Sequence, residues 1–324
     1  MAGHFEIFES IQDDLARVEE KLREKPRLEY EVLTAAIEHL LASGGKRIRP
    51  ALVILVSRLY SARIEPEVLA LAAAVEMLHT ASLVHDDLID GALLRRGIPT
   101  LNATWTPGAT ILTGDYLFAR AADLGARTGS PRVMRMFAET LMVICSGELK
   151  QQFSDLPTRA RRDDYYARIY AKTASLFALA TEAAGVLANA TEDEVAALRE
   201  YGLSLGTAFQ VVDDVLDFIG DETRLGKPVG SDLRQGLITL PTLCYLEQHP
   251  NDELIVRLLR DGHGSEEDIH RAVQAIRESG AIDTALEEAR NFAHRSLLAL
   301  QQLPSGSPCQ PMQDLADFVI RRRT

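Results

Sequence analysis

Two aspartate clusters of identical spacing, Asp86-Asp87-Leu88-Ile89-Asp90 and Asp213-Asp214-Val215-Leu216-Asp217, limit what this chain can fold into. Each lies in an apolar, helix-compatible run. Ala81-Ser82-Leu83-Val84-His85 precedes the first and Ala208-Phe209-Gln210-Val211-Val212 the second. At about 3.6 residues per turn, the first and last Asp of each cluster share one helix face. Carboxylates on an otherwise buried stripe are costly unless positive charge meets them. An all-oxygen donor set suits hard divalent cations, Mg²⁺ above all, with phosphate oxygens completing the coordination. Neither cluster contains His or Cys, so zinc and redox metals fit poorly.

Helical periodicity dominates the rest of the chain, and no run alternates convincingly as a strand. The longest expected helices are Glu65–Asp87, Ile111–Ala126, Arg132–Phe153, Arg162–Ala188, Glu192–Ile219 and Ala281–Leu303, and a shorter one is expected at Ala51–Tyr60. Breakers such as Ser43-Gly44-Gly45, Thr106-Pro107-Gly108 and Gly129-Ser130-Pro131 separate them, and none is long enough for an interdomain linker. Residues 1–324 are therefore expected to form a single all-α domain, a large helical bundle with its site among facing helices.

Of 324 residues, 46% are hydrophobic and 25% charged, which is ample for a large core. A net charge of −12 argues against nonspecific nucleic-acid binding. Three widely spaced cysteines, Cys145, Cys244 and Cys309, make neither a disulfide framework nor a zinc spacing, so a reducing, cytoplasmic setting is expected. Met1 to Ser10 lacks the basic and apolar regions of a signal peptide. The longest uninterrupted apolar candidate, Leu69–Val75, stops at Glu76, so no transmembrane segment is expected.

Several basic and polar residues surround the clusters in sequence. Gly44-Gly45-Lys46-Arg47-Ile48-Arg49-Pro50 offers glycines for close backbone approach, with Lys46 and Arg49 as phosphate donors; a solvated loop is the plain alternative. His79 precedes Asp86 by seven residues, two helical turns, and shares its face; a satisfied core histidine has the same spacing. Arg95 and Arg96 either compensate the dipole at a helix end or clamp a diphosphate. Lys172-Thr173 stands among apolar neighbours, Gln210 lies three residues before Asp213, and Lys227 sits on a Gly-rich loop. Six carboxylates need several divalent cations. Those cations, together with Lys46, Arg49, Arg95, Arg96, Lys172 and Lys227, leave an excess of positive charge that diphosphate would neutralise. No GxxxxGK[ST] phosphate loop is present.

Together, GGKRIRP, LVHDDLIDGALLRRGIPT, GELKQQ, YAKTASLF, GTAFQVVDDVLD and GKPVGSDLRQGLITLP closely resemble the trans-isoprenyl diphosphate synthases, or polyprenyl synthetases, from Gly44 to Pro241. The resemblance implies an isoprenoid-synthase bundle around a deep central cavity, commonly a homodimer. It implies that Asp86, Asp90 and Asp213, with Asp87, Asp214 and Asp217 near, hold about three Mg²⁺ on an allylic diphosphate. Arg95, Lys172 and Lys227 would grip that diphosphate. Lys46, Arg49, His79 and Arg96 would hold isopentenyl diphosphate, and Thr173 and Gln210 would turn oxygen dipoles to the allylic cation. The implied chemistry is ionisation, condensation and elimination, and the lipid product would bring the enzyme to membranes.

In the family the product grows from the first Asp cluster, so residues one turn above Asp86, about 6 Å along the helix, meet it first. Here these are the small Ala81 and Ser82, which points to a long product of about thirty to fifty carbons. Phe118, Phe137 and Met142 are alternative floors, which would make the product geranylgeranyl or farnesyl diphosphate. One departure is Leu237, where the family often has Lys. The C-terminal Arg321-Arg322-Arg323 either covers the isopentenyl site or is a solvated tail. A terpene cyclase would not need the second diphosphate site. A non-catalytic partner subunit would be expected to lose its acidic clusters, and a helical metal buffer would leave Lys46, Arg95 and Lys227 unexplained.

Overall fold

The computed structural model describes residues 8–24, 30–42, 44–153, 161–220, 228–261, 264–304 and 308–322. Helices α1 (Gln12–Leu22), α2 (Glu31–Ala42), α3 (Ile48–Tyr60) and α4 (Pro66–Ile89) come first. A small hairpin, β1 (Leu94–Arg95) and β2 (Ile98–Pro99), leads to α5 (Leu101–Thr104), α6 (Pro107–Ala126) and α7 (Pro131–Phe153). Helix α8 (Arg162–Ile169) passes through a π turn at Tyr170–Ala174 into α9 (Ser175–Leu187), and α10 (Glu192–Ile219) follows. After α11 (Ser231–Arg234) come α12 (Leu240–Gln248), α13 (Glu253–Asp261), α14 (Glu266–Glu278), α15 (Ala281–Leu300) and α16 (Gln310–Arg321).

Helix α10 organises the bundle. Thr191 and Glu194 form a capping box at its start, Glu192, Asp193 and Glu194 face the positive end of the dipole, and Gly220 follows its last turn. Its 28 residues span about 42 Å. The first half joins a core built from α3, α4, α6, α9 and α16; the second half joins another built from α12 to α15. Helix α4 is long and apolar enough to cross a membrane, but 67% of its most apolar window is buried inside the protein. Glu76, which interrupts its apolar sequence, is itself buried and pairs with Arg47 at 2.9 Å. That makes α4 a core helix that carries one neutralised charge.

At three places that border the cavity described below, local structure departs from the sequence expectation. Helix α3 begins at Ile48 rather than Ala51, because Arg47 adopts a left-handed conformation with φ +48°. Such a residue costs on the order of 1–2 kcal/mol, and ion pairs from Arg47 to both Glu19 and Glu76 hold it there. Leu94–Pro99, with no alternating pattern, forms a hairpin because Arg96 (φ +53°) and Gly97 (φ +76°) take the positive φ angles of a primed two-residue turn. The helix expected without interruption over Arg162–Ala188 contains the π turn, which re-aims Lys172 and Thr173.

Candidate active site

Both aspartate clusters sit at helix C-termini. Asp86 and Asp87 lie in the last turn of α4 with Asp90 just beyond it, and Asp213, Asp214 and Asp217 lie in the last two turns of α10. The dipole is negative at these ends, and neither last turn carries a basic residue. The sequence thus concentrates negative charge where the backbone already disfavours it, so the compensating cations come from elsewhere in the fold.

Among the described residues, protein cations meet three of the six carboxylates directly. Arg95, folded back by the hairpin, grips Asp87 bidentately, Nη2 to Oδ1 at 2.7 Å and Nε to Oδ2 at 3.0 Å. Lys172 lies 3.1 Å from both Asp86 and Glu148. Burial opposes the lysine charge, but Asp86 and Glu148 outweigh it and its pKa rises. Burial also raises the Asp86 pKa, against the pull of Lys172. Asp213, 41% exposed at its side chain, pairs with Arg322 at 2.8 Å. The Arg322 guanidinium is itself almost fully buried and stacks 3.9 Å from the Phe209 ring centroid.

Of these groups, Asp87, Asp213, Arg95, Lys172 and Arg322 line a cavity of about 860 Å³. Lys46, Arg49, His79 and Arg96 line the same cavity, as do Asp90 and Gln210. Asp214 also reaches its wall. Arg49 is stacked on Phe177, and Arg96 donates to the Gly44 carbonyl. Burial drives the His79 pKa well below its ordinary value, and Arg49, Arg96, Arg95 and Arg47 push the same way, so the ring is neutral. Burial, then Arg322, lowers the Lys46 pKa. This crowd of like charges is a strong site for a multiply charged anion.

Other expected site residues are placed as follows. Thr173 is buried and its hydroxyl donates to the Gln210 amide oxygen at 2.6 Å. Asp214 is buried and accepts from Tyr165 Oη and Gln210 Nε2, both at 2.8 Å. Burial raises its pKa, and those two donors work against the rise. Asp217 is 1% exposed and accepts from the Asp232 backbone N–H of α11 at 3.1 Å. Ala81 is fully buried in the larger core, whereas Ser82 is half-buried and donates to the His79 carbonyl. Lys227 and Arg323 lie outside the described residues, and Arg321 is exposed beside Asp317. Leu237 lines the cavity.

Glu148, Glu76, Arg47 and Tyr165 carry polar interactions here that spacing alone did not mark. Glu148 lay in the GELKQQ stretch, but only the bundle brings α7 against the π turn and its Lys172. Among the described residues, no three acidic or histidine side chains converge as a single cation cage. The donors available at the two helix ends are all carboxylate oxygens, which fits Mg²⁺ or Ca²⁺ and not zinc.

Residues 30–276 match the family model described as Polyprenyl synthetase. The chain belongs to that family. Heptaprenyl diphosphate synthase component 2 of Geobacillus stearothermophilus is 39% identical to it, with 98% of each chain covered. A polyprenyl synthase from Caulobacter crescentus CB15, solved with calcium and isoprenyl diphosphate, superposes with a TM-score of 0.92 at 37% identity, covering 98% of this chain and 97% of that one. A decaprenyl diphosphate synthase from Rhodobacter capsulatus superposes at 0.91 with 35% identity and 99% coverage of both. This polyprenyl synthetase is therefore an isoprenoid-synthase helical bundle and a trans-prenyltransferase, and its family uses a divalent metal.

Proposed function

We propose that this protein condenses isopentenyl diphosphate with an allylic diphosphate and repeats the step to an all-trans polyprenyl diphosphate of about thirty to fifty carbons. The observation that carries this reading is the placement of both aspartate clusters at helix ends around one cation-lined cavity. Asp86, Asp90 and Asp213, with Asp87 and Asp217 near, would hold about three Mg²⁺, which would neutralise the departing diphosphate, whereas both carboxylate oxygens of Asp214 are already taken by Tyr165 and Gln210.

Arg95 and Lys172 hold the same diphosphate, and Lys227 joins them. Lys46, Arg49 and Arg96 hold isopentenyl diphosphate. Neutral His79 acts there as a hydrogen-bond donor rather than as a charge. The allylic C–O bond breaks and its electron pair leaves with diphosphate. The isopentenyl double bond then supplies the pair for the new C–C bond, and the proton lost on elimination goes to the released diphosphate. Thr173 and Gln210 face the transient cation with oxygen. Burial of Arg49 and Arg322 beside aromatic rings keeps water from this region.

The small residues above Asp86 support a long product. Phe118 packs edge-on to His85 with centroids 5.3 Å apart, whereas Phe137 is buried beside Gly125 and Met142 is 60% exposed. Phe118 is therefore the one alternative floor near the first cluster. The whole chain is read as one catalytic domain in a reducing, cytosolic compartment. Apolar Ile111, Leu112, Met142 and Leu149, exposed on neighbouring α6 and α7, support a homodimer.

The test is to incubate the protein with Mg²⁺, labelled isopentenyl diphosphate and allylic primers of five to twenty carbons, then size the products. Elongation beyond thirty carbons is expected. No elongation with any primer rejects the function, and a twenty-carbon end product favours a geranylgeranyl synthase. Ser82→Phe is expected to shorten the product by at least one five-carbon unit. An unchanged length distribution would remove Ser82 from the path of the growing chain. Ala81→Phe is the poorer probe, because overpacking a filled core costs about 1–3 kcal/mol.

A further inference from the structure

The second residues of the two aspartate clusters have different partners. Asp87 is held by the charged fork of Arg95. Among the described residues, Asp214 accepts hydrogen bonds from neutral donors, the Tyr165 hydroxyl and the Gln210 amide, each at 2.8 Å. Tyr165 and Asp214 are both buried. The chain of bonds crosses three elements: Tyr165 on α8, Asp214 and Gln210 one turn apart on α10, and Thr173 in the π turn.

The direction of every bond in this chain follows from chemistry. A carboxylate accepts and cannot donate, so the Gln210 amide must turn its NH₂ to Asp214. Its carbonyl oxygen then faces Thr173, and the Thr173 hydroxyl must donate to it, at 2.6 Å. The Thr173 proton is thereby committed, and oxygen lone pairs of Thr173 and Gln210 are left for the cavity that Gln210 lines. With the amide reversed, the Thr173 oxygen would accept from NH₂ and its hydroxyl proton would be free to point at a positive carbon. Preorganised dipoles of the right sign lower a charged transition state without reorganising, and dipoles of the wrong sign raise it.

We propose that Tyr165 and Asp214 are positioning residues that set the polarity of the Gln210–Thr173 pair, so that oxygen lone pairs and not a hydroxyl proton face the allylic cation. This assigns Asp214 a role different from that of its twin Asp87, and it rests on the prenyltransferase reading above.

The test compares wild type, Asp214→Asn, Tyr165→Phe and Thr173→Ala, with each of the first two substitutions also combined with Thr173→Ala. An asparagine cannot satisfy both the tyrosine hydroxyl and the Gln210 amide in their present directions. Asp214→Asn is expected to lower kcat by about 10- to 100-fold with KM for both substrates changed less than about threefold. Tyr165→Phe, which removes one hydrogen bond and no volume, should lower kcat by about 3- to 10-fold. Calorimetric binding of inorganic pyrophosphate with Mg²⁺ should be unchanged in both. In the Thr173→Ala background each substitution should have a smaller effect than in the wild type, because the route through Thr173 is gone and only that through Gln210 is left.

Loss of Mg²⁺-dependent pyrophosphate binding in Asp214→Asn would make Asp214 a metal ligand and overturn the proposal. So would additive effects with Thr173→Ala, or an unchanged kcat. If Asp214→Asn does not fold, the Tyr165→Phe and Thr173→Ala cycle decides alone. Absence of elongation by the wild type is a separate result, since it rejects the prenyltransferase reading itself.

Discussion

Asp86→Asn should lower kcat by roughly 10²–10³-fold or more. Asp86 lies in the last turn of α4, where the backbone dipole is already negative, and 3.1 Å from Lys172. The substitution removes a metal-binding charge and leaves Lys172 paired with Glu148. Both losses fall on the step in which charge develops on the departing diphosphate. Single-turnover rates and Mg²⁺ titrations measure the effect directly. Asp87→Asn should act differently: it frees Arg95 from a bidentate pair, so weakened diphosphate binding should accompany the loss of rate. A rate within tenfold of wild type for Asp86→Asn, with unchanged Mg²⁺ dependence, would show that the first cluster does not carry the metal.

The largest expected effect on stability comes from the contact between α9 and α10. Gly202 has no room for a side chain. A Cβ there would lie 2.2 Å from Thr181 Oγ1 and 2.5 Å from the Phe177 carbonyl oxygen. One turn on, a Cβ at Gly206 would stand 2.8 Å from the Ala174 Cα of the π turn. These two glycines let the helices approach closely enough for Gln210 to reach Thr173. Gly202→Val should destabilise the protein by about 3 kcal/mol or more and lower the melting temperature by roughly 5 °C. Gly108→Ala is the control, because its Cβ would meet nothing within 4 Å. A melting temperature for Gly202→Val equal to that of the control would mean that the helices do not pack this closely. Rate should fall together with stability in Gly206→Val, since its clash is with the segment that presents Thr173.

How far the residues alone led differs between the two parts of the site. The helices were legible because their signals are local: the Thr191-to-Glu194 capping box, Pro66 at the start of α4 and Gly220 after α10 act within one turn. The acidic residues were legible because six carboxylates in apolar runs demand cations under any fold. The hairpin at Leu94–Pro99 was missed because two residues per strand are too few to alternate, and its turn depends on Arg96 tolerating a positive φ. The left-handed Arg47 was missed because Glu19 and Glu76, which hold it, are 28 and 29 residues away.

Sequence was enough for the helical class, the polyprenyl synthetase resemblance and the list of charged groups, since each depends on residue type and short-range spacing. It did not assign those charges to partners. Asp87 and Asp214 occupy the same place in identical motifs, yet one meets Arg95 and the other meets Tyr165 and Gln210. That difference comes from a hairpin turned back on α4 and from two glycines that let α9 lie against α10. Pairing energies depend on distance and burial, and both are properties of the packed chain.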